Sequence, residues 1–319
     1  MKSLFLTCLF ILYLLILASS LFGQKQFGNS FYIVNPYSYN TAYASDTQGL
    51  QASAQFSGQN SGLSSAPRHA HIFLATGLME GRAGVGIRTH YSQSGILENT
   101  ILSAEFSYVL PLNRDLSHVI RFGLSGGGRW ESINLDVVHR NNYTNPSDPM
   151  FYDELSMTSD IQFGLGAVYQ YHNFTTGFQI PFLIGLYQQG QKETWKNVIP
   201  MVSYTFKFSR KWVVIPTVLV NTLPSGLTIY DVVTLFGWEK GIWWQGGYRS
   251  SQAMIGGIGT TIQQIKIGYA FEIPFGNYAG MIGNQHSIML KFSMPRGLGG
   301  EKSTENSSQD GSARKRKRR

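Results

Sequence analysis

Apolar and polar residues alternate with a period of two along most of the chain. Between Ile101 and Leu110, the residues Leu102, Ala104, Phe106, Tyr108 and Leu110 share one face, and Ser103, Glu105 and Ser107 share the other. From Ile262 to Ile273, Ile265, Ile267, Tyr269, Phe271 and Ile273 oppose Lys266, Gly268 and Glu272. Further on, Ile288, Leu290, Phe292 and Met294 oppose Lys291 and Ser293. Successive side chains of a strand point to opposite faces, so each stretch predicts a strand with one greasy and one polar side. A soluble β-sandwich alternates in the same way. Many of these stretches, however, reach the roughly 9–11 residues that an oblique membrane crossing needs. About fourteen strands are expected, the first near 49–57 and the last near 286–294.

The connections sharpen this into a transmembrane antiparallel β-barrel. Short ones are expected at 78–82, 111–118, 171–173, 209–211, 237–241 and 260–261. Longer ones are expected at 58–67, 92–100, 132–159, 181–198 and 274–285. Outer-membrane barrels pair short periplasmic turns with long outer loops and keep an even strand number, which puts both termini in the periplasm. Trp130, Trp195, Trp212, Trp238, Trp243 and Trp244 fall near strand ends, where interfacial aromatic girdles are expected. Gly126-Gly127-Gly128 lacks the context of a phosphate-binding loop. It reads as a bend or a close contact in the wall, as do the pairs Gly84/Gly86 and Gly164/Gly166.

The two ends add export and a tail. Lys2, an apolar run from Leu4 to Leu17 and the small residues Ala18, Ser19 and Ser20 form a signal peptide. Cleavage after Gly23 is preferred to cleavage after Ser20. The single cysteine, Cys8, lies inside that peptide, so disulfides and thiolate metal sites are excluded from the mature chain. Charged residues make up only 14% of the sequence, against about 25% in soluble domains, which suits a wall that faces lipid. The formal charge of +8 is mostly the terminal run Arg314, Lys315, Arg316, Lys317, Arg318 and Arg319. The expected domains are a signal peptide (1–23), a periplasmic N-terminal segment (24–48), the barrel (49–295) and a flexible basic tail (296–319).

Candidate chemistry is sparse. His69 and His71 share a strand face but have no neighbouring acid to complete a metal set. Asp148, in the polar loop 141–149, could ligate calcium, although Asx-Pro turn chemistry explains that loop without an ion. Nothing marks a nucleophile, and no enzyme activity and no cofactor are expected.

The stretch FYIVNPYSYNTAYA (31–44), followed by GQNSGLSSAPRHAHIFLA (58–75), resembles the opening of the PorP/SprF family of Bacteroidetes outer-membrane proteins. Further matches are AGVGI, FSYVLPL, SDPMF, FGLGAVYQYHNFTTGFQIP, IKIGYAFEIP and HSIMLKF, in family order. Thr41, Ser45 and Ser287 depart from the family pattern, and the basic tail is unusual. The resemblance implies a non-enzymatic outer-membrane component of the type IX secretion machinery, and of gliding where the species glides. Its implied partners are the periplasmic ring lipoprotein and associated components, cargo carrying a type IX C-terminal signal domain, and outer-membrane lipid, with no nucleic acid. The residues implied to matter are Asn35, Pro36, Tyr39, Asn40, Ala42, Tyr43 and Pro67 at the periplasmic entrance and first outer loop, Asp148 and Pro149 in the long loop, and His286. The basic tail is a candidate for an acidic periplasmic partner or lipid phosphates. The alternative function is an outer-membrane diffusion channel or small-solute transporter.

Overall fold

The computed structural model describes residues 29–46, 49–59, 66–134, 157–187, 197–209, 211–223, 228–276 and 283–294. Their strands are β1 Leu50–Gln59, β2 Arg68–Leu78, β3 Ala83–Ser94, β4 Leu97–Pro111, β5 His118–Ile133, β6 Met157–Tyr171 and β7 Phe174–Tyr187. Next come β8, in two pieces (Ile199–Tyr204 and Phe206–Lys207), β9 Trp212–Thr222, β10 Thr228–Trp238 and β11 Ile242–Arg249. Last are β12 Ala253–Ile262, β13 Ile265–Pro274 and β14 Gln285–Met294. Each strand pairs antiparallel with its neighbours in sequence. β1 pairs β14 from Leu50–Met294 to Gln59–Gln285, closing a fourteen-strand barrel. Among the described residues closure leaves no edge strand, as hydrocarbon requires.

Burial is inverted relative to a water-soluble protein. Ile72, Phe106, Ile258 and Ile288 stand exposed on the outside, while Ser107, Glu272, Gln285 and Ser287 are buried inside. On β4, Leu102, Phe106, Tyr108 and Leu110 face out, and Ser103, Glu105 and Ser107 face in, as the period of two predicts. An aromatic belt marks the short-turn end. Trp212 stacks on Trp238 at 6.0 Å and meets Trp244 edge-on at 5.6 Å, and Phe236 stacks on Trp244 at 5.7 Å. Trp243 is a correction to the expected girdle: it is buried in the lumen, because its neighbour Trp244 faces lipid and adjacent residues of a strand cannot share a face. Trp195 lies outside the described residues.

Three connections differ from expectation. β7 stays in strand and paired with β6 up to Tyr187, well into the loop expected at 181–198. The loop expected at 92–100 is a two-residue turn at Gly95 and Ile96, with Gly95 at φ 63°, and β3 and β4 stay paired up to Ser94–Leu97. Outside the bilayer the outward face need not be apolar, so alternation fades there while the hydrogen-bond ladder continues. The turn expected at 260–261 falls instead at Gln263 and Gln264. Thr260 and Thr261 are β-branched and remain in strand, and Gln263 takes the left-handed conformation at φ 54°. The glycine triplet does not break β5. A Cβ at Gly127 would overlap the Leu102 carbonyl, and the rings of Phe163 and Trp130 lie over Gly126 and Gly128.

Candidate functional site

Residues 29–46, expected as a segment outside the barrel, are packed inside it. The reason is chemical: Phe31, Tyr32, Tyr37, Tyr39 and Tyr43 are large, largely apolar side chains in a stretch that forms no strand, and burial stabilises each by about 1.5–3 kcal/mol. The wall supplies the matching surface. Tyr32, Tyr37, Tyr39, Ala42 and Tyr43 cluster with the inward-facing Phe73, Val168, Met201, Leu219, Val233 and Ile255. Phe31 meets Trp243 edge-to-face at 6.4 Å. The segment crosses the lumen from Ser30, beside Glu272 near the long-loop end of β13 and Gln245 in the middle of β11, to Asp46 at the short-turn rim.

Its path is set by two short 3-10 turns. Pro36 opens the first, Pro36–Ser38, where its fixed φ fits and its missing N–H costs nothing. Asn40 caps the second, Thr41–Ser45, accepting a bond from the Ala42 N–H at 2.9 Å. The same amide donates to the Phe178 carbonyl at 2.9 Å and the Ala167 carbonyl at 3.3 Å. The Thr41 N–H and hydroxyl both donate to Gln179 Oε1 at 3.1 Å. Asn35, fully buried, donates to Ser53 and accepts from Gln51 Nε2 at 3.2 Å and Lys291 Nζ at 3.3 Å.

Glycines clear the second turn's seat. Gly84, Gly123 and Gly166 face inward, and a Cβ on any of them would overlap Ala44 and Ser45, Thr41 and Ala42, or Asn40. Gly86 leaves room for the Tyr37 ring. Arg88 donates to the Tyr37 carbonyl at 2.8 Å and pairs with Glu105 at 2.9 Å.

At the other end lies a buried charge cluster. Arg249 grips Asp231 with two bonds of 2.8 Å and Glu272 with one of 2.6 Å, all three side chains being almost fully buried. Ser30 is tied to it: its hydroxyl donates to Glu272 at 2.8 Å and its carbonyl accepts from Gln245 at 2.6 Å. Loss of hydration pushes the phenol of Tyr32 well above its ordinary range, with Asp231 adding to the shift. Burial likewise raises Tyr37, Tyr39 and Tyr43, and Glu105 adds to the rise at Tyr37.

Of the motif residues singled out in the sequence, Asn35, Pro36, Tyr39, Asn40, Ala42 and Tyr43 are thus brought together in the lumen. Pro67 is not among them: it sits before β2, its carbonyl accepting from the Gln59 N–H at 3.1 Å. His286 faces outward, bonded to the Tyr269 hydroxyl at 2.6 Å. Asp148, Pro149 and Arg314, Lys315, Arg316, Lys317, Arg318 and Arg319 lie outside the described residues. His69 and His71 are joined by His90, whose Nδ1 is 2.9 Å from that of His71. Among the described residues no group of three or more His, Cys, Asp or Glu side chains is arranged to hold a metal ion. Sequence reading missed Gln179, Arg88, Asp231 and Arg249 as site residues. Their signal was faint: each is a single polar side chain at an inward position of an ordinary strand.

Comparison with known structures matches this barrel to other barrels. The structure titled CymD monoaromatic hydrocarbon channel is 10% identical over 86% of this chain and 95% of that one, with a TM-score of 0.52. The Pseudomonas putida toluene transporter TodX is 11% identical over 81% of this chain and 93% of that one, at 0.48. The Acinetobacter baumannii outer membrane protein Omp33 is 9% identical over 77% and 98%, at 0.45. No curated protein sequence matches the chain. The fold is that of an outer-membrane barrel, and the family model for the type IX secretion system membrane protein PorP/SprF matches residues 21–292. The chain belongs to the PorP/SprF family.

Proposed function

We propose that this barrel works as a non-catalytic component of the type IX secretion machinery, joining a periplasmic ring complex to the secretion or surface anchoring of cargo proteins. Family membership supports the secretion role. The observation that carries the reading against an open diffusion channel is the lumen segment: residues 29–46 occupy the space through which a solute would pass, anchored by Asn35, Asn40 and Ser30. In this reading the short-turn end, where β1 begins and β14 ends, faces the periplasm and the ring lipoprotein. The longer connections face cargo that carries a type IX C-terminal signal domain, and the chain is exported behind a cleaved signal peptide. Deleting the gene is expected to leave such cargo in the periplasm or shed it from the surface. Unchanged cargo display in the deletion strain would overturn the proposal.

A further inference from the structure

At the short-turn rim, the end of the lumen segment and two turns enclose a groove of about 640 Å³. It is lined by Asp46, by Arg82 from the β2–β3 turn, by Leu112, Arg114 and Leu116 from the β4–β5 turn, and by Arg121 of β5. The lining thus carries three arginines and one aspartate; Asp46 holds Arg121 at 3.3 Å, and the neighbouring Asp115 carboxylate accepts from Ser117 at 3.1 Å. Arg82 and Arg114 are exposed, as are the apolar Leu112 (45%) and Leu116 (59%).

The β4–β5 turn is braced by its own hydrogen bonds. Asn113 Nδ2 donates to Ser117 Oγ at 2.8 Å, the His118 N–H donates to Asn113 Oδ1 at 3.0 Å, and Leu116 is held at φ 57°. Left-handed backbone at a non-glycine residue is costly and persists where the surroundings enforce it. A preformed turn loses little conformational freedom on binding. Exposed arginine beside exposed leucine offers a partner both charge and apolar contact, and arginine is enriched at protein interfaces.

The location separates a protein from a lipid. Val119 and Arg121 alternate with the lipid-facing Phe122 and Leu124, so they lie on the lumen side, as does the segment carrying Asp46. The part of the groove lined by Val119, Arg121 and Asp46 therefore opens into the mouth of the barrel, inside the ring of strands, while Leu112 continues the outward-facing series of β4. We propose that it docks an extended, acidic segment of a periplasmic protein partner, carboxylates on Arg82 and Arg114 and an apolar side chain on Leu116. This rests on the reading that the short-turn end faces the periplasm. Docking there would press on Asp46, and so on the Arg121 that stacks near Tyr43 at 6.0 Å, coupling a partner to the lumen segment.

The test is a photo-crosslinking amino acid at Leu116 in cells, with the same residue at the lipid-facing Ile267 as control. The expected adduct at Leu116 is a protein segment that, once sequenced, carries several Asp or Glu residues. It should fall several-fold in Arg82→Glu/Arg114→Glu and persist in Arg82→Lys/Arg114→Lys, with both barrels showing the heat-modifiable migration of the parent. If the reversed barrel does not fold, Arg114→Gln alone should weaken the adduct. Adducts to lipid only, to a neutral or basic segment, or to nothing overturn the inference, as does an adduct indifferent to charge reversal. Cargo display separates the two claims. A deletion strain that fails to display cargo, with no Leu116 adduct in the parent, sinks the groove and leaves the secretion role standing.

Discussion

The two ends of the lumen segment are held by opposite means. Residues 40–45 are seated by shape: backbone lies against inward glycines of β3, β5 and β6, and the hydrogen bonds go to the carbonyls of Ala167 and Phe178 and to a neutral amide, Gln179. Residues 29–35 are held by side chains in a charged environment, with Ser30 on Glu272 and Asn35 on Lys291. A fit by shape is spoiled by adding atoms, whereas a fit by charge is spoiled by removing one. The contrast also sets which end yields to conditions, since neutral backbone bonds ignore salt and titration while ion pairs respond once water reaches them.

The largest effect is expected at the charged end. Arg249→Met leaves Asp231 and Glu272 buried without their counter-ion, which costs about 3–5 kcal/mol. The urea midpoint of the refolded barrel should drop accordingly. Adding Asp231→Asn and Glu272→Gln to the same variant should recover most of the loss, because neutral residues of similar shape leave no naked charge. A single variant as stable as the parent would show that the cluster is hydrated rather than buried.

Next comes the seated end. Gly123→Val forces a side chain into the backbone of Thr41 and Ala42, where nothing flexible can give way. Overpacking of this kind costs about 1–3 kcal/mol. The wall is closed by its own ladder, so the segment should yield before the barrel does. Planar-bilayer recordings should show current through the variant and none through the parent, and protease should cut near Tyr37 in the variant alone. Equal silence in both assays would mean that the segment is not what closes the lumen.

What could be read in advance follows from which solvent imposes a pattern. Lipid demands an apolar side chain at every second position, so Leu102, Phe106, Ile267 and Ile288 announce their strands and the barrel with them. Beyond the bilayer that demand lapses, and the β3–β4 turn at Gly95 was hidden in polar sequence. The lumen imposes no period either. Phe31, Tyr37 and Tyr43 have the composition of a core but no strand or helix repeat, so the residues were identifiable through the family motif while their place was not. Gly84 and Gly166 signalled close packing, yet only the fold shows that what packs on them is the chain's own N-terminal segment. Asp231, Arg249 and Glu272 come from three strands, and no spacing in sequence announces that they meet.

Two smaller effects sharpen the comparison further. Asn40→Ala removes the cap on Thr41–Ser45 and leaves the Ala167 and Phe178 carbonyls short of a donor, a loss of about 1–3 kcal/mol confined to the seated end. It should raise proteolysis near Tyr43 without moving the urea midpoint of the barrel. Alkali should act on both ends and only at its extreme. Burial raises the phenols of Tyr32, Tyr37, Tyr39 and Tyr43 above their usual value of 10.0 in the docked segment, and undocking returns them towards it. The undocked form then binds fewer protons, so docking is unchanged below about pH 10 and weakens as pH rises above it. Tyrosinate absorbance and bilayer current should therefore rise together in alkali and stay flat near neutrality. Tyrosines that ionise at their ordinary pH while the lumen stays closed would place these phenols in contact with water, and the segment's hold would then rest on Asn35, Asn40 and Ser30 alone.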